Sequence, residues 1–407
     1  MVRHIMLLIL TILLGATTTA GAVPVKTGAE MLADSGFAML RGKRFGLVTN
    51  HSATIRGEHL LDRMTAAGVS PAVIFAPEHG LRGTAEDGEQ LPDATDNGIP
   101  VRSLYGGTKK PRPEDLRKLD LLLFDIQDVG ARFYTYISTM GLVMQAAANA
   151  GIPLVVLDRP NPLGGTYLAG FVRKNQPASF TSLYPIPVTH GMTVGELALL
   201  YRKEFKTGCD LEVVPMDGWK RNMWFDRTGL PWVQPSPNLP TPGSAIVYPG
   251  TVLLEGTLLS EGRGTTRPFE YVGAPYIRPR ELSDALNALK LPGVYFRPAY
   301  FEPTFQKWAG KMCGGVQLHV QDRDAFEPYL TGIMIISTVR SMYAGSFEWR
   351  QPPYEYEYSK LPIEILCGGR KVPDLIERST SPGDIRESWS ADTQAFLQNR
   401  AEYLLYD

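Results

Sequence analysis

Four apolar runs set the limits on what this chain can fold into. RFGLVTN (44–50), PAVIFAPE (71–78), LDLLLFDIQD (119–128) and GIPLVVLDRP (151–160) are apolar at successive positions rather than at alternate ones. A strand reads that way when both of its faces are covered, as in a parallel sheet clad by helices. HLLDRMTAAG lies between the first two runs and MGLVMQAAANAG between the last two, each with helical spacing and each closed by glycine. The alternation predicts an α/β fold with a doubly wound parallel sheet. Thr193-Val194-Gly195-Glu196 has the form of a capping box and starts a further helix over LALLYRKEF, and LEVVPM (211–216) adds a strand.

The character changes after Met216. PWVQPSPNLPTPGSAIVYPG is dense in proline and aromatic residues, and is expected to form a long ordered crossing, neither a regular helix nor a central strand. VYFRPAYF (294–301) and GVQLHVQD (315–322) read as short strands, DAFEPYLTGIMIISTVRSMY (324–343) as a helix, and a last helix is expected from roughly Ser388 to Tyr406. The predicted organisation is a signal peptide over 1–22, an α/β domain over 23–220 carrying the strand ends, and a smaller mixed α+β domain over 221–407.

The signal peptide follows from Arg3 and His4, an apolar run from Ile5 to Leu14, and Ala20-Gly21-Ala22 as a small-residue cleavage site. The run is short of the roughly 20 residues that span a bilayer. No cysteine follows it, so no lipid anchor is expected, and the mature chain is expected to work outside the cytoplasm, in a periplasm or as a secreted protein. A formal net charge of −1 lacks the basic excess that a nucleic-acid partner favours. No G-x-G-x-x-G follows the first strand and no G-x-x-x-x-G-K-[ST] occurs, so no dinucleotide or nucleotide cofactor is expected. G-x-S-x-G and H-E-x-x-H are also absent. Cys209, Cys313 and Cys367 have no metal-ligand spacing and read as small buried hydrophobes, with a single disulfide as the alternative.

The strand ends carry the chemistry. Asn50-His51, Glu78-His79, Asp125 with Asp128, and Asp158-Arg159 with Asn161 each follow an apolar run. Ligands of open α/β sheets bind outside the carboxyl ends of the strands. Glu78 follows Phe75 and Pro77, and partial burial there is expected to keep it protonated, as a general acid requires; capping a helix or pairing with Arg82 is its structural alternative. His79 and His190 could be satisfied core or loop histidines, Asp128 could bond a turn, and DRPNP reads chiefly as an ion-paired brace. In the second half LLEGTLLSEGRGTTRPFE (253–270) gathers Glu255, Glu261, Glu270, Arg263 and Arg267 among glycines and threonines, the composition either of a solvated loop or of one that closes over a cleft. A metal held by His51, His79, Asp128 and His190 stays open at this level, although the spacing is not diagnostic of one.

VTNHSA, FAPEHGLRG, FDIQDVGARFYTY, LDRPNPLGG, PVTHGMTVGELA, PNLPTP and EGTLLSEGRGTTRPFE occur in this order, from about Phe45 to the C-terminal helix. The set resembles the NamZ-type exo-β-N-acetylmuramidases. The resemblance implies a Rossmann-like domain joined to a smaller one with a cleft between them. It also implies release of N-acetylmuramic acid from the non-reducing ends of peptidoglycan fragments, and a catalytic glutamate in PEHG, which is Glu78. Glycoside cleavage needs an acid on the leaving oxygen and, in most cases, a second carboxylate, about 5–5.5 Å away for retention and about 6.5–9.5 Å for inversion. Asp128 and Glu261 are the candidates for it, with the substrate's own acetamido group as the alternative nucleophile. Arg82, Arg132, Arg159 and Arg263 are candidates for the lactyl carboxylate of muramic acid. Asn50, His51, His79, Tyr134, Asp158, Asn161, His190 and Asn238 complete the expected substrate-binding set. Two other classes remain open from sequence: an exported solute-binding protein for a cell-wall sugar, and a metal-dependent hydrolase.

Overall fold

The computed structural model describes residues 24–407 apart from 87, 175 and 176; the expected signal peptide lies outside the described residues. The strands of the first half are β1 (Phe45–Thr49), the small hairpin β2 (Thr54–Ile55) and β3 (Glu58–His59), β4 (Val73–Ala76), β5 (Ala94–Asp96), β6 (Ile99–Ser103), β7 (Leu121–Asp125), β8 (Leu154–Leu157) and β9 (Leu211–Val214). Seven of them form one sheet in the order β5-β6-β4-β1-β7-β8-β9. All neighbours pair in parallel except β5, which runs antiparallel on β6. Counted along the chain, the parallel strands lie third, second, first, fourth, fifth and sixth, which is the Rossmann order, and the winding reverses between β1 and β7.

The double coverage expected of the apolar runs is visible in the side chains. Leu122, Phe124, Leu154 and Val156 enter one core, while Leu121, Leu123, Val155 and Leu157 enter a second on the opposite face. Successive strand residues point to opposite faces, so a run buried on both must be apolar throughout. The helices Gly28–Asp34 and Leu60–Ala66 contribute to the second core, and the helices Tyr136–Ala150 and Val194–Glu204 to the first. The Thr193–Glu196 capping box forms as expected. The pair β5–β6 carries no strong apolar run; its signal is Asn97-Gly98, both at positive φ (47° and 81°), the pairing a tight hairpin favours.

The second half adds an antiparallel sheet, β10 (Tyr271–Ala274), β11 (Val294–Phe301) and β12 (Cys313–Val320), in the order β10-β12-β11. One expectation is corrected here. Part of the proline-rich stretch is helical: Pro242–Thr251 forms a helix with a Thr241–Ser244 capping box. Pro242 stands in its first turn, where the missing N–H costs nothing, and Pro249 comes only near its end. The helices Pro279–Ala288, Pro328–Met342, Pro362–Cys367 and Pro382–Glu387 also begin on proline, so much of the proline in this half starts helices rather than breaking them.

The first core runs on without a break from the sheet into Val272, Phe296, Ile333 and Leu366, so the two halves share one interior. The chain's end returns to the first half. Tyr406 donates its hydroxyl to Asp158 Oδ2 at 2.6 Å, Leu405 N donates to Glu196 Oε1 at 2.9 Å, and Arg400 donates to the carbonyls of His190, Gly191 and Gly165. The three cysteines are buried and free. Among the described residues no helix is long and apolar enough to cross a membrane.

Candidate active site

β4 ends at Ala76, and Pro77 leads directly to Glu78. His79 then turns the chain at φ +67°, followed by Gly80 at +75°. Glu78 is 6 % exposed, and its Oε2 accepts the Thr135 hydroxyl at 2.7 Å. Tyr136, next in the chain, is pinned from three sides. Asn50 Nδ2 donates to its hydroxyl at 3.0 Å, and that hydroxyl donates to Pro235 O at 2.8 Å and to Glu78 O at 3.3 Å. Strand ends β1 and β4 and the helix after β7 are thereby locked around one carboxyl group at the sheet edge flanking the reversal.

Glu78 opens onto a narrow cavity between the halves. His79, Tyr134, Thr135, Thr181 and Ser236 line it from the first half and the crossing, and Tyr248, Glu255, Arg263, Phe269, Tyr354 and Glu355 from beyond it. The aromatic wall is interlocked: Tyr134 meets Tyr136 and Tyr248 edge-on at 4.7 and 5.9 Å between ring centroids, and Tyr248 meets Phe269 at 4.9 Å. Such a wall presents apolar ring faces to a sugar, while the carboxylates supply polar contacts.

The charged stretch 253–270 is not a solvated loop. Glu255, Glu261 and Arg263 are all buried. Arg263 Nη1 lies 2.7 Å from Glu255 Oε1 and 2.9 Å from Glu261 Oε1, Lys307 Nζ lies 2.6 Å from Glu261 Oε2, and Tyr354 donates its hydroxyl to Glu255 Oε2 at 2.6 Å. Burial pushes the Glu261 carboxyl up, but Lys307 and Arg263 more than offset this and hold it below the ordinary carboxylate range. Burial correspondingly pushes the Lys307 ammonium down. Of the two glutamates, Glu255 lines the cavity and Glu261 does not.

The other residues expected from sequence divide sharply. Arg82 is exposed and pairs with Asp96. Arg132 is fully enclosed and spends its guanidinium on the carbonyls of Phe171, Ile186 and Leu366 at 2.7–3.0 Å. Arg159 makes a two-pronged pair with Asp125. Asp158 accepts from Gly195 N and the Thr193 hydroxyl as well as from Tyr406, and burial pushes its carboxyl up to about 6. Asn161 bonds Met192 O and Leu163 N. These five brace the edge rather than face the cavity. Asp128 Oδ2 accepts from Gly130 N at 2.7 Å and stands 3.7 Å from His190 Nε2, away from the lining set. Asn238 reaches Glu86 Oε2 at 3.5 Å.

The histidines serve backbone contacts. His79 Nδ1 donates to Ala85 O at 2.8 Å, His51 Nε2 meets Gln234 O at 2.5 Å, and His190 Nδ1 accepts from Met192 N. Burial is the main cause holding the His51 imidazole below its usual pKa. A Cβ on Gly83 would fall 2.0 Å from the His51 ring, and Gly83 has φ +68°, which explains the second glycine of FAPEHGLRG. Among the described residues no three His, Cys, Asp or Glu side chains come together as a metal-binding set.

A Rossmann-ordered sheet with a buried, hydrogen-bonded glutamate at its carboxyl edge, and a second carboxylate lining the same aromatic cavity, has the parts of a carbohydrate hydrolase. Residues 45–243 match the model of the exo-β-N-acetylmuramidase NamZ N-terminal domain and residues 246–406 that of its C-terminal domain, so the chain belongs to the NamZ family. It is 48 % identical over 399 residues to the peptidoglycan β-N-acetylmuramidase NamZ of Bacillus subtilis (strain 168), covering 95 % of this chain and 93 % of that one. Two crystal structures of DUF1343-family proteins from Bacteroides fragilis NCTC 9343 are also similar. One has a TM-score of 0.85 at 35 % identity and covers 95 % of this chain and 100 % of that one. The other has a TM-score of 0.75 at 31 % identity and covers 95 % and 99 %.

Glu255, Glu355, Thr135, Tyr248 and Tyr354 line the cavity without having been singled out as site residues from sequence. Only Glu255 carried a signal, as part of the charged glycine-rich stretch.

Proposed function

We propose that this chain is an exo-acting glycoside hydrolase that releases N-acetylmuramic acid from peptidoglycan fragments, with Glu78 as the acid that protonates the leaving oxygen. The observation that carries the reading is the Glu78 carboxyl itself, held by Thr135 at 2.7 Å and aimed into a cavity that Glu255 also lines. Cleavage builds oxocarbenium-like positive charge on the sugar, so a fixed carboxylate on the other side lowers the barrier. Glu255 suits that role better than the two candidates drawn from sequence. Its oxygens are fixed by Arg263 and Tyr354, whereas Glu261 is neutralised by two cations and Asp128 is turned toward Gly130 and His190. Tyr134 and Tyr248 offer stacking surface for the ring. Export through a cleaved signal peptide over residues 1–22, to the compartment where peptidoglycan lies, is part of the same proposal.

The test is turnover of a disaccharide with N-acetylmuramic acid at its non-reducing end by wild type, Glu78→Gln and Glu255→Gln, each with and without a chelator. The reading expects wild-type turnover indifferent to the chelator and a loss of about 10²–10⁴-fold in Glu78→Gln. Binding without turnover would favour a solute-binding protein, and silencing by the chelator a metal-dependent hydrolase.

A further inference from the structure

The substrate class brings an electrostatic problem. The lactyl side chain of muramic acid carries a carboxylate, yet the cavity is already lined by Glu78, Glu255 and Glu355. Its one lining arginine, Arg263, is shared between Glu255 and Glu261, and Lys307 balances the latter. Arg82, Arg132 and Arg159 are committed to Asp96, to backbone carbonyls and to Asp125. A carboxylate entering an enclosed, acidic space without a cation would be strongly disfavoured.

Lys109 resolves this. It lies on the loop that follows β6, at the same carboxyl edge of the sheet as Glu78. Its ammonium sits 3.5 Å from the centre of the Tyr356 ring and 4.7 Å from that of Phe180. Tyr105 closes the cage, 5.8 Å from Tyr356 and 6.0 Å from Phe180 between centroids. The cage adjoins the cavity, because Thr181 and Glu355, the chain neighbours of Phe180 and Tyr356, line it. Burial pushes the Lys109 ammonium down in pKa, while Glu355 and then Glu78 act in the opposite sense, which fits a position within reach of both. Two rings held against an ammonium fix it in place by cation–π attraction and leave N–H donors for an anion. Glu355 and Tyr356 both adopt positive φ (47° and 66°), a conformation that side chains other than glycine rarely take and that recurs at functional sites.

We infer that Lys109, caged by Tyr356 and Phe180, is the specificity-determining residue that receives the lactyl carboxylate of the muramic acid ring. The assignment rests on the muramidase reading and adds to it the group that separates muramic acid from uncharged amino sugars. A single charge-assisted contact of this kind is worth about 10–100-fold in discrimination.

The test compares nitrophenyl N-acetylmuramic acid with the same glycoside bearing a lactyl carboxamide, on wild type, Lys109→Met and Lys109→Arg. The expected result is a wild-type preference in kcat/KM for the acid of about 10-fold or more, carried mainly by KM. Lys109→Met should erase it through loss on the acid, with a smaller loss on the amide, and Lys109→Arg should restore part of it. A wild type indifferent between acid and amide, or a Lys109→Met that keeps the wild-type ratio, overturns the assignment while leaving the muramidase reading intact. A wild type that cleaves neither glycoside removes the muramidase reading and this assignment together.

Discussion

Thr135 stands at the N-cap of the helix Tyr136–Ala150 but does not cap it; its hydroxyl donates to Glu78 Oε2 instead. A threonine in that position ordinarily contributes about 1 kcal/mol by satisfying a helix N–H. Here that contribution is given up to orient a carboxyl group. Thr135→Val is therefore expected to lower kcat/KM by about 10-fold in an otherwise wild-type chain, the worth of one oriented hydrogen bond, and by much less on top of Glu78→Gln, while Thr135→Ser retains most activity. A double-mutant cycle in kcat/KM checks this; additive effects would separate Thr135 from the acid.

The Glu261–Lys307–Arg263–Glu255 network is a buried ionic array beside the cavity. Removing one member leaves an uncompensated buried charge, at a cost of about 3–5 kcal/mol. Lys307→Met should thus lower the unfolding midpoint strongly. The pH dependence follows from sign. Glu261 is held below its ordinary value of 4.5 in the fold, so its stabilisation is complete above that value and is lost as pH falls through the lower folded one. Thermal melts from pH 6 down to 3 should show Glu261→Gln with a flatter acid limb than wild type.

Asp158 titrates in the opposite sense. Burial raises its folded pKa from 3.8 to about 6, so the ionised form is penalised in the fold above that pH, and the penalty is relieved as pH falls from about 6 toward 3.8. The Tyr406 hydroxyl offsets part of the penalty by donating to the carboxylate. Tyr406→Phe should consequently lose more stability at pH 8 than at pH 5. Equal losses at both pH values, read from unfolding midpoints, would detach the C-terminal clasp from the charge of Asp158.

Gly83 makes room for His51 while occupying the left-handed region. Gly83→Ala introduces both strain and a clash, so it should displace the His51 ring from Gln234 O and lower activity more than an Ala substitution at exposed Gly57, which also has positive φ but has open space around it. Paired melts and rates of the two variants distinguish site distortion from ordinary backbone strain.

The sheet was readable because β1, β4, β7 and β8 are buried on both faces and therefore apolar at every position. The pair β5–β6 is half exposed and announces itself only by its Asn97-Gly98 turn. Helix Pro242–Thr251 was misread because proline is a breaker inside a helix and a starter at its first turn, a distinction composition does not carry. At the site, Glu78 was legible from local context, a carboxylate where an apolar strand stops. The pairing of Glu255 with Tyr354 joins residues 99 positions apart, and that of Glu78 with Thr135 joins residues 57 apart. Such partners are chosen by the packing of the two halves, so no local pattern marks them. Asp158 and Arg159 read in sequence chiefly as an ion-paired brace with substrate binding as the alternative, because both tasks call for charge at the end of a buried strand.

The most direct test of Glu78 as the acid is the dependence of its loss on the leaving group. Glu78→Gln should lose about 10²–10⁴-fold in kcat/KM on a disaccharide whose leaving group is a sugar alcohol oxygen, which needs a proton. It should lose far less on a nitrophenyl glycoside of the same muramic acid, whose leaving group departs as a stable anion. Equal losses on the two substrates, or full activity of Glu78→Gln on the disaccharide, would contradict the account.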